Sequence, residues 1–364
     1  MITFFDMFAG IGGFRAGLER AGGFRCIGHC EIDKHADRAY RAAHSVNESE
    51  VFYDDATTIN VNNMPDFDLL CAGFPCQAFS IAGKREGFAD PRGSLFFQIA
   101  RLVKEKRPAY LLLENVPGLL SHDHGQSFAA ILQTLCELGY GLEWQVLNSK
   151  DFGVPQSRRR VYIVGYLDRR CAGQVLPIRC SNSQALIQIS GGRQDSRVYD
   201  ASGLYAVGFD RKTGIKGRID TAYTLLASDS RGLHRRHTQN AVLHIKEATR
   251  QGYKEAEPGD SVNLSYAAQN QKRGRVGKAV ASTLDTGNHQ GVVTPAGRIR
   301  SLMPRECLRL QGFDEPQIDR ILSVSSDTQA YKQAGNAVTV NVVTALAHKI
   351  RQAHEAIAAE SEAA

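Results

Sequence analysis

The first twenty residues constrain the fold more than any other stretch of this chain. Residues 2–8 (Ile-Thr-Phe-Phe-Asp-Met-Phe) make an apolar, strand-like run that breaks at Ala9-Gly10-Ile11-Gly12-Gly13. A helical spacing then follows through Phe14, Ala16, Gly17, Leu18 and Ala21. Strand, glycine turn and helix make the first unit of a nucleotide-binding α/β fold, because glycines let the backbone approach a ligand at the helix N-terminus. A glycine turn alone is a weak signal, so the reading depends on what repeats after it.

What repeats is an apolar run of strand length closed by a chemically distinctive residue. The run Phe24-Arg25-Cys26-Ile27-Gly28-His29-Cys30 ends at Glu31-Ile32-Asp33. An acid about twenty positions after a glycine turn can bind ribose hydroxyls. Val51-Phe52-Tyr53 ends at Asp54-Asp55, where a carboxylate could accept from an adenine amino group. Residues 67–72 lead into Gly73-Phe74-Pro75-Cys76. Residues 109–113, a continuous apolar run suited to a parallel sheet covered on both faces, end in Glu114-Asn115-Val116-Pro117.

Two of these strand ends read as reactive. Free cysteine usually behaves as a small buried hydrophobe. A packing thiol, however, gains nothing from a place behind a proline on a turn just past a strand, where α/β enzymes carry their reactive groups. Cys76 is therefore read as a nucleophile. Glu114 closes a buried strand, so desolvation should raise its pKa and let it hold or share a proton near neutrality; the other reading is a helix cap or loop anchor. Between them, residues 81–93 carry three glycines, three cations and a proline, a long loop able to close over a polyanion.

Further along, a helix over 126–138 leads to a strand over 142–147 and then to Gln156-Ser157-Arg158-Arg159-Arg160. Alternation puts Arg158 and Arg160 on one side and Arg159 on the other, and two guanidiniums on one face suit an anion or the carbonyl edge of a base. From about 170 to 295 the periodic pattern gives way to Gly-, Ser-, Arg- and Asn-rich text with short alternating pieces, which predicts a separate, irregular, β-containing domain. Helical spacing returns at Pro304-Arg305-Glu306. Gln333-Ala334-Gly335-Asn336-Ala337-Val338 is expected to open a final helix with Val342, Val343, Leu346 and Ile350 on one face, and the last ten residues are expected to fray.

Composition sharpens the division. At 364 residues the chain exceeds what one core of ~250–300 residues usually holds. Residues 179–300 carry nineteen Lys and Arg against ten Asp and Glu, an excess of nine in a chain of net +6, which leaves −3 for the rest. That asymmetry suits a nucleic-acid-facing domain joined to a near-neutral catalytic one. The eight cysteines lack paired CxxC spacing, which suggests neither a disulfide framework nor a zinc site, and no metal is expected. No apolar run approaches the ~20 residues of a membrane span, and the N-terminus has no basic leader, so a cytoplasmic protein is expected.

Together the motifs resemble those of the C5-cytosine DNA methyltransferases over nearly the whole chain. The matching text is Asp6-Met7-Phe8-Ala9-Gly10-Ile11-Gly12-Gly13-Phe14, Gly73-Phe74-Pro75-Cys76-Gln77, Glu114-Asn115-Val116, Gln156-Ser157-Arg158-Arg159-Arg160, Pro304-Arg305-Glu306 and Gly335-Asn336-Ala337-Val338. The resemblance implies a Rossmann-like methyltransferase domain with a mixed, mostly parallel sheet plus a smaller, irregular β-rich target-recognition domain. The divisions it implies are 1–170 for the catalytic domain, 171–297 for target recognition, and 298–364 for a return segment with a C-terminal helix.

It also implies roles. Cys76 would add to C6 of a flipped-out cytosine in duplex DNA, Glu114 would contact N3, Arg158 and Arg160 would orient base and catalytic elements, and Gln77 and Ser80 would belong to the moving loop. Phe8, Ala9, Gly10, Gly12, Gly13, Glu31, Ile32, Asp55, Pro75, Leu95 and Asn336 would line the site for S-adenosylmethionine, which leaves as S-adenosylhomocysteine. Ile32 stands where some members carry tryptophan, so aliphatic contact would replace stacking on the adenine. Arg92 and Thr283 would contact DNA. A monomer is implied, bacterial and nucleoid-associated or phage-encoded, with room for a restriction endonuclease as a functional rather than physical partner. Three alternatives stay open. A tRNA methyltransferase would have little between the Arg-rich and final motifs, a non-catalytic relative would be expected to lose Cys76 or Glu114, and a nicotinamide dehydrogenase would leave the Pro-Cys turn unexplained.

Overall fold

The computed structural model describes residues 1–46, 48–74, 95–178, 204–206, 209–210, 214–215, 223–224, 243–247, 249–264, 276–295 and 297–362. Its centre is a seven-stranded sheet of β1 (Ile2–Met7), β2 (Phe24–Cys30), β3 (Val51–Tyr53), β4 (Leu69–Gly73), β5 (Tyr110–Asn115), β6 (Gly141–Asn148) and β8 (Arg159–Tyr166), in the order β3-β2-β1-β4-β5-β8-β6. The first five strands run parallel, and β8 lies antiparallel between β5 and β6. A two-residue strand, β7 (Gln156–Ser157), leaves the sheet to pair in parallel with Ala281–Ser282.

The apolar runs become central strands because both sheet faces are covered, and every residue of β5 is buried. On one face lie α1 (Gly13–Ala21) and the long α8 (Val340–Glu362), which bring Phe14, Leu18, Val342, Val343, Leu346 and Ile350 against Phe4, Leu69 and Leu112. On the other lie α3 (Leu95–Lys106) and α4 (Gln126–Glu137), which seat Phe96, Ile99, Ile131 and Leu135 on Phe5, Leu70, Leu111 and Leu113. A third core joins α2 (Lys34–His44) to α5 (Pro304–Leu310), α6 (Glu315–Val324) and α7 (Asp327–Asn336).

The expected β-rich segment is present as small antiparallel sheets. One orders Tyr223–Thr224, Leu204–Ala206, Leu243–Lys246 and Tyr253–Ala256; another orders Val276–Gly277, Ser261–Asn263, Gln290–Val293 and Ile299–Ser301. The C-terminal part differs from its expectation. Residues 333–338 do not open the last helix: 333–336 finish α7, and the chain turns before α8 begins at Val340. Caps that the apolar spacing hides explain the extra helices. Asp314 and Gln317 form a capping box for α6, and the Ser326 hydroxyl accepts from Gln329 N–H to start α7. Rather than fraying over its last ten residues, α8 stays helical to Glu362.

Candidate active site

The parallel strands deliver their distinctive ends to one edge of the sheet. In register, Met7 lies beside Cys30 and Ala72, and Gly73 lies beside Glu114. Two neighbouring centres result, one at the ends of β1 and β2 and one at the ends of β4 and β5.

At the first, the glycine turn is tied down by an acid. Gly10 N–H donates to Glu31 Oε2 at 2.7 Å, and Asp33 N–H donates to Glu31 Oε1 at 2.8 Å. Burial raises the Glu31 pKa, against which the two backbone donors work. Phe8 and Gly10 both adopt left-handed φ (57° each), a strained state for phenylalanine and an easy one for glycine. A Cβ added at Gly10 would meet nothing within 4 Å among the described residues, so the turn leaves room there for a ligand to approach the backbone. The other two glycines serve packing. A Cβ on Gly12 would stand 2.2 Å from His44 Nε2, and one on Gly13 would stand 2.4 Å from Val338 O.

The remaining residues expected around this centre come from several elements. Ala9 is buried and donates its N–H to Cys30 O. Ile32 is 73 % exposed beside Glu31, a free aliphatic surface where the family resemblance places the adenine. Asp55 caps a short turn by accepting from Thr57 N–H at 2.8 Å. Leu95 is the half-buried first residue of α3, and Asn336 is the exposed last residue of α7. These residues suit an adenosyl donor: a carboxylate with lone pairs to spare for a ribose, an apolar side chain, and a turn without a Cβ.

At the second centre, Glu114 is nine-tenths buried and pairs with Arg160, Nε to Oε1 at 3.0 Å. Burial raises its pKa, while Arg160 and then Arg158 oppose the shift. Arg158 does something different from its neighbour. It is 3 % exposed, and its guanidinium donates to three carbonyls: Leu284 O at 3.2 Å, Gly335 O at 2.9 Å and Ala337 O at 2.9 Å. Desolvation, helped by Arg160, pushes its pKa down to about 10. Alternation does set Arg159 apart, exposed to solvent, but the two inward arginines are not an equivalent pair.

Two positioning residues were not singled out from the sequence. Asn115 Nδ2 donates to Phe74 O at 2.8 Å, which fixes the end of β4 two residues before Cys76. Gln156, fully buried, donates to Leu310 O and accepts from Leu284 N–H, joining β7 to α5 and to the 281–284 stretch. Asn115 stood inside a matched motif, and that is the signal that could have found it. Thr283 is exposed and donates its hydroxyl to Ser157 O at 2.8 Å, beside a recess of about 290 Å³ lined by Ser157, Asn263, Ser282 and Thr283. Pro75, Cys76, Gln77, Ser80 and Arg92 lie outside the described residues.

Comparison with known proteins agrees with this geometry. The profile of the C-5 cytosine-specific DNA methylases matches residues 2–352. The chain is 34 % identical to the type II methyltransferase M.HhaI of Haemophilus parahaemolyticus, over 96 % of this chain and 94 % of that one. It is 31 % identical to the orphan methyltransferase M.SPRI of Bacillus phage SPR, over 98 % of each. Among solved structures, the Dnmt2 methyltransferase of S. pombe shares the fold, with a TM-score of 0.55 at 19 % identity over 98 % of this chain and 99 % of that one.

Proposed function

The chain belongs to the C-5 cytosine-specific DNA methylases, and from that premise we propose that it methylates a flipped-out cytosine in duplex DNA through a covalent adduct on Cys76. One observation carries the reading. The register of β4 on β5 sets Gly73 beside Glu114, and Asn115 holds Phe74 O, so the chain runs on toward Pro75 and Cys76 from beside a buried carboxyl already paired with Arg160.

The chemistry needs these groups together. C5 of cytosine is too weak a nucleophile to take a methyl group unaided. When the Cys76 thiolate forms an S–C6 bond, the C5–C6 double-bond electrons shift to form C5=C4 and displace the C4=N3 pair onto N3, which gains electron density and takes up a proton. Glu114, whose pKa burial raises against the pull of Arg160, is suited to share a proton with N3 at that moment. Arg160, ion-paired to Glu114, fixes the direction of the carboxyl and offers its remaining N–H groups to the base edge. S-adenosylmethionine, when bound, supplies an electrophilic methyl group on a sulfonium. Gly10, Glu31, Ile32 and Asn336 would hold it, with Phe8, Asp55, Pro75 and Leu95 completing the pocket, while Gly12 and Gly13 let His44 and Val338 pack behind the turn. After transfer, the C5 proton leaves to a base, the C5–C6 double bond re-forms and the S–C6 bond breaks.

The target atoms are closed off inside a stacked duplex, so the base must be extruded at a cost of a few kcal/mol. In this reading residues 171–297 supply the contacts that hold the opened duplex, Thr283 and Arg92 touch the DNA, and Gln77 and Ser80 ride the closing loop. Residues 1–170 and 298–364 together form the catalytic unit.

The test is adduct trapping. Full-length protein mixed with S-adenosylmethionine and duplex DNA carrying 5-fluorocytosine should yield a denaturation-resistant complex, because fluorine cannot leave C5 as a proton does. Cys76→Ser should yield none. Equal yields from the two proteins would overturn the mechanism, and bisulfite sequencing of DNA from expressing cells that shows only background would overturn the DNA-methylating activity.

A further inference from the structure

The donor acid Glu31 is held by a longer arrangement than the glycine turn. Its Oε1 takes the backbone N–H of Asp33, and the Asp33 carboxylate faces two partners. Oδ1 accepts from His35 N–H and so caps α2, while Oδ2 is ion-paired to Lys332 Nζ at 2.7 Å. Lys332 comes from α7, 299 positions away, and its neighbour Gln333 donates to His35 O at 3.0 Å. α7 thus grips the acid-bearing turn at two successive residues. It does so one turn before Asn336, the α7 residue expected at the donor.

We infer that Lys332 is a positioning residue for the methyl donor: its ion pair with Asp33 holds the Glu31–Asp33 turn, and with it the ribose-binding carboxylate, against helix α7. The inference rests on the donor-site reading above. It differs from a merely stabilising surface pair in where it acts. An exposed ion pair on a helix face ties two side chains together, whereas Asp33 supplies through its own backbone N–H one of the two donors that orient Glu31. Loss of Lys332 leaves the α2 cap and the Gln333 bond to His35 O in place but releases Asp33 from α7, so the Glu31–Asp33 turn is held to the Asn336 side only through α2. Side chains at this pair are partly exposed, which limits the effect to a few-fold in affinity.

The experiment is calorimetric titration of S-adenosylhomocysteine into the full chain without DNA, using wild type, Lys332→Met, Lys332→Arg, Asp33→Asn and the Lys332→Met/Asp33→Asn double variant. Asp33→Asn keeps a side-chain oxygen for the helix cap and removes only the charge. Each of the Met and Asn variants should weaken binding about three- to fivefold. The double variant should be no weaker than the worse single one, because both remove the same interaction. Lys332→Arg should stay within about twofold of wild type, and the KM for DNA should not move. Wild-type affinity in Lys332→Met, or losses that multiply in the double variant, would overturn the inference. Failure of wild type itself to bind S-adenosylhomocysteine would overturn the donor-site reading instead.

Discussion

Arg158 and Arg160 stand two residues apart in one motif, yet their surroundings predict opposite consequences of removing them. Arg158 is buried and donates to three main-chain carbonyls, from Leu284, Gly335 and Ala337, that come from two distant parts of the chain. Replacing it with methionine leaves three buried acceptors without donors. Hydrogen bonds from a charged group contribute about 1.5–3 kcal/mol each. Against this stands the recovered cost of desolvating a guanidinium, several kcal/mol. Three buried acceptors left unsatisfied, at about 1–3 kcal/mol each and less that recovered cost, make the net loss for Arg158→Met about 3–5 kcal/mol. Arg160→Met leaves Glu114 without its cation, but that carboxyl can take up a proton, so only about 1–2 kcal/mol should be lost while adduct formation falls steeply. The single tryptophan, Trp144 of β6, packs edge-on against Phe128 of α4 and reports on the docking of that helix on the central sheet. Urea unfolding followed by its fluorescence should therefore show a large midpoint drop for Arg158→Met and a small one for Arg160→Met, with adduct yield in the reverse order at low urea. Equal midpoints for the two variants would refute the assignment of Arg158 to anchoring and Arg160 to chemistry.

Two further outcomes follow from the same geometry. Burial raises the Glu114 pKa, so the folded chain keeps a proton that the unfolded chain releases near the ordinary value of 4.5; stability from this group is full below that pH and is lost as pH rises through the folded pKa. Urea midpoints compared from pH 4.5 upward should show wild type losing ground relative to Glu114→Gln, and parallel profiles would contradict the raised pKa. At Gly335 an added Cβ would sit 2.1 Å from Asp285 O, a backbone atom that cannot swing away. Gly335→Ala should cost about 1–3 kcal/mol by overpacking and reduce adduct yield, whereas wild-type values for both would show that the 285–286 turn moves freely.

Much of this arrangement was legible in the chain because a parallel sheet converts sequence pattern into position. Continuous apolar runs suit strands covered on both faces, and in the five parallel strands each run's last residue lies at the same edge as its neighbours'. That is why Gly10, Glu31 and Glu114 could be placed before any coordinates. Partners drawn from far along the chain were not legible. Alternation gives the side on which Arg158 and Arg160 emerge, but nothing local tells that one meets carbonyls 126 to 179 positions away while the other meets a carboxylate. Caps misled in another way. The apolar spacing after 338 is strong enough to draw the preceding Gly335-Asn336-Ala337 into the same helix, whereas Ser326 starts a separate helix that ends there.

The break at 337 is what makes those three residues useful. Gly335 packs on Asp285 O, its carbonyl and that of Ala337 take the Arg158 guanidinium, and Val338 O lies against Gly13 of the donor turn. One helix end thus touches the 281–289 stretch, the anchoring Arg158 and the glycine turn after β1 together. Nearly all of these contacts are made to main-chain atoms, and so is the bond from Leu284 N–H to Gln156. Beside these backbone contacts the side chains of Ala281 and Leu284 pack into the third core, and the backbone at 285 must fit over a glycine at 335. The same dependence accounts for the predicted cost of a single methyl group at that glycine: it obstructs the one surface against which the other three parts are aligned.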